Sequence, residues 1–273
     1  MSGLRRMRHL ATLSLLYLTT LHLVVVASAS ADSTGHDRAS NSGNLSAGKL
    51  RSLGEIALSE RKYNEAESYY RQAIALEPHN GNNYYKLFKV HNRMRALGDA
   101  LTDLTEACER EPGRAEWRVQ KAKLLVSLGR CEEAVNEYNL VERKDKDNDN
   151  DNDANQNQPL EGENDASQCA QLTAMAVKAF SEEDFHQSVH FFNKALSYMT
   201  EASDLLYMKA QAEYRLEDYY GVISDTGRIL KSFPKHIEAY QLRGEAYFML
   251  NEMDMAVKHF REGLKLDPEH KGQ

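Results

Sequence analysis

The feature that most constrains this chain is a repetition every 34 residues. Ala66, Ala100 and Ala134 are spaced by 34, and Tyr70, Leu104 and Tyr138 keep the same interval. Pro78 and Pro112 repeat it too. A second series runs Ser188, Val222, Ala256, accompanied by Phe192, Thr226, Phe260 and by Pro234 and Pro268. A fixed period of this length marks a unit that cannot bury its apolar face alone and is stabilised by stacking on its neighbours. Five prolines and fifteen glycines are few for 273 residues, which fits long helices joined by short turns.

In the best-fitting units, the first and the sixth, the residues at positions 8 and 20 are small, position 24 is large and a proline stands near position 32. That is the signature of the tetratricopeptide repeat (TPR). Small residues let two antiparallel helices, A and B, approach closely. The proline ends helix B, because it can neither donate the next hydrogen bond nor fit the preceding turn. Gly54 and Ala66 fill the small positions of the first repeat, Gly244 and Ala256 those of the last. The pattern predicts an all-α TPR solenoid of six helix-turn-helix repeats in two blocks of three, at about 47–80, 81–114, 115–145, 169–202, 203–236 and 237–270. The fit varies. The fifth repeat carries Gly221 and Gly227 inside helix B, each costing about 1 kcal/mol against alanine, and the fourth lacks the proline.

The first residues follow a different logic. Arg5, Arg6 and Arg8 precede an apolar run from Leu10 to Val26, and Ala27-Ser28-Ala29 and Ala29-Ser30-Ala31 offer two small-x-small cleavage sites. This is the layout of a secretory signal peptide over 1–29, with an uncleaved membrane anchor as the alternative. Residues 30–46 then read as a linker, 47–144 as TPR block one, 145–167 as an acidic Asp/Asn-rich disordered insert, and 168–270 as block two. The expected residence is the endoplasmic-reticulum lumen; the alternative is secretion or a single-pass anchor. Asn44-Leu45-Ser46 is a glycosylation sequon, and Asn44 or Ser46 alternatively caps the first helix. In the insert Asp145, Asp147, Asp149, Asp151 and Asp153 alternate, but no register supplies the glycine and glutamate of a calcium loop.

Composition removes several function classes. The net charge is −7 with no basic stripe or tail, so nucleic acid is not an expected partner. Cys108, Cys131 and Cys169 lie far apart with no C-x-x-C pair, which speaks against a disulfide framework and a zinc site. Cys108 and Cys131 fall near opposite ends of roughly parallel helices, so no bond between them is expected. His186 and His190, four apart on a predicted helix, read as surface positions. No phosphate loop or nucleophile motif is present, so neither an enzyme nor a cofactor or metal is expected.

In a TPR array the concave groove is lined mainly by helix A, at positions 2, 5, 6, 9 and 12. A carboxylate clamp there needs cations and asparagines, which hold a peptide's terminal carboxylate through charge-assisted hydrogen bonds. Block one offers Arg51, Glu55, Lys86, Glu116 and Gln120, and block two Thr173, Val177, Met208, Glu238 and Leu242. Neither set makes a clamp for acidic chaperone tails. The expected client-binding residues are instead Leu58, Tyr85, Val119 and Val126 in block one and Val177, Tyr207, Met208 and Leu242 in block two. Apolar and aromatic side chains of this kind suit adaptable contact with varied segments.

The stretches Ala100-Leu101-Thr102-Asp103-Leu104-Thr105 and Gly263-Leu264-Lys265-Leu266-Asp267-Pro268-Glu269-His270-Lys271 carry a family resemblance. Over about residues 47–271 the chain resembles the N-terminal two-thirds of the TPR region of an endoplasmic-reticulum co-chaperone family. This is the DnaJ homolog subfamily C group that includes the inhibitor of the interferon-induced protein kinase. The resemblance implies nine repeats in three blocks, a TPR region that holds misfolded or unfolded proteins, and a J domain that activates a luminal BiP-type ATPase. The sequence carries no His-Pro-Asp motif and no third block. ATPase stimulation is therefore not carried over, and a BiP-type partner is expected only through a J domain outside this sequence. From another class, a scaffold docking one defined partner remains the competing expectation.

Overall fold

The computed structural model describes residues 45–146 and 159–267. The signal-peptide and Asn44 readings, residues 30–44 of the linker, and residues 147–158 of the acidic insert lie outside the described residues. Twelve α-helices and no strands occur among those described. Six helix pairs follow in order. They are α1 (Ala47–Ser59) with α2 (Tyr63–Leu76), α3 (Gly81–Met94) with α4 (Leu97–Arg110), and α5 (Ala115–Ser127) with α6 (Cys131–Lys146). After the insert come α7 (Glu163–Ser181) with α8 (Phe185–Ala195), α9 (Ser203–Arg215) with α10 (Tyr219–Ser232), and α11 (Ile237–Met249) with α12 (Met253–Leu266). Each helix packs on the next in sequence, which is the layout of a TPR solenoid.

Local chemistry sets the helix starts. The Ser46 hydroxyl accepts from Lys49 N at 3.3 Å, Asn80 Oδ1 from Asn82 N at 3.1 Å, Asp184 Oδ1 from Gln187 N at 3.1 Å and Asp218 Oδ1 from Gly221 N at 3.0 Å. The A-to-B turns share one device. Position 15 of every repeat is left-handed: Arg61, Arg95, Gly129, Glu183, Glu217 and Asn251 have φ between 60° and 80°. The residue after each donates back five residues, as Lys62 N to Ala57 O at 2.9 Å and Asp218 N to Glu213 O at 2.9 Å do. Only one of the six is glycine, so the return bond and the packing of the pair hold the others in a conformation that costs L-residues roughly 1–2 kcal/mol.

The small positions do what their spacing predicts. A Cβ on Gly54 would sit 2.6 Å from the Tyr70 ring, and one on Gly244 would sit 2.6 Å from the Phe260 ring. Position 8 of helix A thus receives the aromatic ring from position 24 of helix B. Ala66, Ala100 and Ala134 are all fully buried.

Two expectations need correction. The cysteines do form a disulfide: Cys131 at the start of α6 is bonded to Cys169 in α7, with Cα atoms 5.7 Å apart and both residues buried. Cys108 is free and buried, and Cys108 and Cys131 are not bonded to each other. The stretch read as a disordered insert over 145–167 overlaps two helices, because α6 runs to Lys146 and α7 already begins at Glu163. The physical reason is that its exit is fastened to block one. Tyr138 OH donates to Glu161 O at 2.9 Å, and Lys123 pairs with Glu161 at 2.8 Å.

The two blocks also share one core. A single cluster of buried residues runs from Phe88 and Leu97 through Trp117 and Tyr138 to Ala166, Cys169, Met199 and Ala202. Thr200 N and Glu201 N both donate to Ser127 O, at 3.1 and 3.0 Å. Cutting the chain at the insert would break this core as well as the disulfide.

Candidate functional site

The A helices of block one form a concave surface. A cleft of about 530 Å³ opens between the end of α1, the α1–α2 turn and α3, and reaches Gln120 of α5. Leu58, Tyr63 and Phe88 supply its apolar part. Leu58 is half-buried against the cluster of Ala57, Ala66, Tyr70, Leu87 and Val90.

Tyr85 stands next to this cleft. Its ring stacks on Trp117 at 4.8 Å between centroids, with planes 14° apart. The Gln120 amide donates to its hydroxyl at 3.0 Å, and the Lys89 ammonium lies 4.8 Å from its ring centre. One face of the ring is thus fixed by packing, while a cation caps the ring from α3. Val119 is half-buried at the edge of the main core.

The clamp positions are already occupied from within. Arg51 pairs with Glu77 at 2.6 Å and donates to Asn83 Oδ1 at 3.1 Å. Lys86 pairs with Glu55. Lys89, Arg93 and Arg61 also line the cleft and have no carboxylate partner among the described residues.

Block two carries a different face. Val177 is exposed at 39 %. Tyr207 is half-buried, its ring 5.4 Å from that of His236, and Met208 is half-buried beside it in sequence. Burial raises the Tyr207 hydroxyl above its ordinary pKa, and the Glu238 and Glu245 carboxylates push the same way. Tyr214 is raised by burial and by Glu245. Two carboxylates therefore share this tyrosine surface.

Two of the eight expected groove residues are core instead. Val126, 8 % exposed, belongs to the main cluster with Leu124 and Leu125. Leu242, 6 % exposed, packs with Ala210, Val222 and Ala246. Position 12 of the third repeat faces the shared core between blocks, and Leu242 fills the space that small residues on α9 and α11 leave. Sequence reading also missed Trp117, whose stacking organises Tyr85; its uniqueness in the chain was the available signal.

A pair of buried polar networks was missed too. In the second repeat His91 Nδ1 lies 2.5 Å from Asp103 Oδ2, with Glu67 3.6 Å from Nε2. Burial pushes the Asp103 carboxyl up to about 6, while His91 and Arg71 pull it down. In the fifth repeat Lys209 reaches Glu213 at 2.6 Å and Asp225 at 2.5 Å, all three buried. Both networks join repeat positions 11 and 23, one on each helix of the pair. His186 and His190 are exposed on α8.

Comparison with known proteins places these features. The tetratricopeptide-repeat family profiles match residues 50–84 and 237–270, the first and sixth repeats. The chain is 31% identical over 183 residues to the Arabidopsis thaliana DnaJ protein P58IPK homolog, covering 65% of this chain and 36% of that protein. It is 26% identical over 227 residues to the Homo sapiens DnaJ homolog subfamily C member 3, covering 80% of this chain and 42% of that one. The chain thus spans roughly two-fifths of these relatives' length. The crystal structure of the P58(IPK) TPR domain superimposes with a TM-score of 0.68 at 24% identity, covering 82% of this chain and 61% of that one, which supports the fold. Over most of its length the chain resembles the DnaJ P58IPK proteins.

Proposed function

We propose that this chain, whose repeats resemble those of the DnaJ P58IPK proteins, is a luminal co-chaperone piece that holds unfolded or misfolded polypeptides on the faces of its A helices. The observation that carries this reading is the row of apolar and aromatic side chains left half-buried or exposed there: Leu58, Tyr85 and Val119 in block one, Val177, Tyr207 and Met208 in block two. Partly covered side chains of this kind still have area to bury, at about 25 cal/mol per Å², without needing one fixed partner shape. The compartment reading has support beyond the N-terminal pattern. The Cys131–Cys169 bond belongs to an oxidising environment such as the endoplasmic-reticulum lumen. The repeats account for holding; the sequence carries no His-Pro-Asp motif that would stimulate an ATPase.

A second reading is a scaffold that docks one native partner, secreted or membrane-anchored. The polar rim of the block-one cleft, with Asn92 and Gln120, favours it. Among the described residues no helix is long and apolar enough to cross a membrane.

Site-specific photo-crosslinking tests the assignment without disturbing the fold. A photoreactive amino acid at position 58, 119, 177 or 208 is expected to capture a chemically denatured model protein. The same probe at Glu132 or Lys194, exposed on B helices, is expected to capture little. Equal capture from both sets, or capture from the B helices alone, would overturn the groove assignment.

A further inference from the structure

The block-one cleft is charged against the trend of the chain. The whole sequence carries a net −7, yet the cleft presents Arg61, Lys89 and Arg93 with no carboxylate partner among the described residues. Its one acid, Glu55, is taken up by Lys86. The cations stand beside Leu58, Tyr63 and Phe88, so apolar and positive surface meet in one concavity. On block two the tyrosines lie instead beside Glu238 and Glu245.

We propose that the block-one cleft selects apolar polypeptide segments that carry carboxylates, Asp or Glu flanking aromatic or aliphatic residues. The proposal rests on the client-holding reading above and names the segment class that the cleft prefers. Three cations without a carboxylate partner among the described residues, in a concave, partly apolar site, attract carboxylates more strongly than they would on a flat, fully solvated surface, because low-dielectric walls focus the field. Complementarity of this sort discriminates against the opposite charge, since a Lys-flanked segment would bring like charges together. The selection does not require a free C-terminal carboxylate. Arg51 and Lys86, which would have to grip one, are each committed to an internal acid, so internal side-chain carboxylates satisfy the cleft equally well.

The test uses the full chain and three short fluorescent peptides sharing one Leu/Phe core, flanked by Glu, by Gln or by Lys. Fluorescence anisotropy is expected to rank them Glu above Gln above Lys, with Glu over Lys on the order of tenfold at low salt. The gap is expected to shrink at about 1 M salt, where the screening length falls to about 3 Å. Lys89→Glu/Arg93→Glu is expected to invert the Glu/Lys order, with an unchanged helical circular dichroism spectrum and unfolding midpoint reporting that the fold is intact. Lys194→Glu/Lys231→Glu makes the same change in net charge at exposed positions on B helices, and is expected to leave the ranking as it was. Equal affinity for the three peptides, a preference for Lys, or an equal effect of both double variants would overturn the charge selection while leaving client holding in place. Failure of all three peptides, the Gln form included, would overturn client holding itself.

Discussion

Cys131→Ala or Cys169→Ala is expected to lower the free energy of unfolding by about 4 kcal/mol. The bond closes a loop of 38 residues, and loop-closure entropy for that length amounts to about 4 kcal/mol at 25 °C. The effect should be large here because the bond spans the acidic insert between Lys146 and Glu163, the widest separation in sequence between consecutive helices among the described residues. It ties α6 to α7 at the point where the shared core passes from block one to block two. Denaturant unfolding without reductant checks the figure, and fully reduced wild type should match the variants. Cys108→Ala should leave the disulfide in place, because Cys108 has no covalent partner. Burial of both bonded cysteines predicts slow reduction in the folded chain. Coincident unfolding midpoints for the wild type and Cys169→Ala under oxidising conditions would contradict the pairing.

Lys209→Met is expected to cost about 3–5 kcal/mol near neutral pH, the range for leaving buried charges without their partner. Burial alone would lower the pKa of Lys209, but its hydrogen bonds to Asp225 and Glu213 outweigh this and raise it. Burial raises Glu213, and its bond to Lys209 offsets only part of that. Two acids thus share one buried base, and Glu213 Oε2 has no hydrogen-bond partner. A carboxyl with a raised folded pKa contributes stability that is fully present below its unfolded pKa and lost as pH rises through the folded one. In Lys209→Met this loss deepens, because the ammonium that held Glu213 down is gone. The deficit of the variant is therefore expected to shrink as pH falls through the acidic range and Glu213 takes up its proton. A deficit below about 1 kcal/mol at pH 7, or one that grows on acidification, would contradict the buried-triad reading.

The repeat architecture was legible because it rests on steric rules that leave a periodic trace. Gly54 and Gly244 must be small where Tyr70 and Phe260 enter, and Ala66, Ala100 and Ala134 mark the same contact on helix B. The disulfide was not legible because Cys131 and Cys169 belong to different blocks. Their proximity depends on how α7 stacks on α6 after the insert, and the composition of the insert says nothing about that. The early start of α7 was hidden for the same reason, since Glu163 and Asp165 read as part of an acid-rich run until Glu161 and Tyr138 are seen fastening it. Val126 and Leu242 stand at positions that line the groove in an idealised repeat. Their burial is set by neighbours, Leu124 and Leu125 in one case and Ala210 and Ala246 in the other. Lys209, Glu213 and Asp225 look like surface charges one at a time. Their signal was the pairing of positions 11 and 23, which His91 and Asp103 repeat, together with Gly221, whose added Cβ would lie 2.9 Å from the Glu213 carboxyl carbon.

The measurement that bears most directly on client holding is a titration of the full chain against one model protein in two forms, native and permanently unfolded by reduction and alkylation. Binding followed by anisotropy should be saturable for the unfolded form and absent for the native one, and it should weaken when Leu58 is replaced by aspartate. Saturable binding to the unfolded form at the groove is the result expected of a co-chaperone that holds clients. No binding to the unfolded form, or equal binding to both forms, would contradict it and leave docking of a single native partner as the better description.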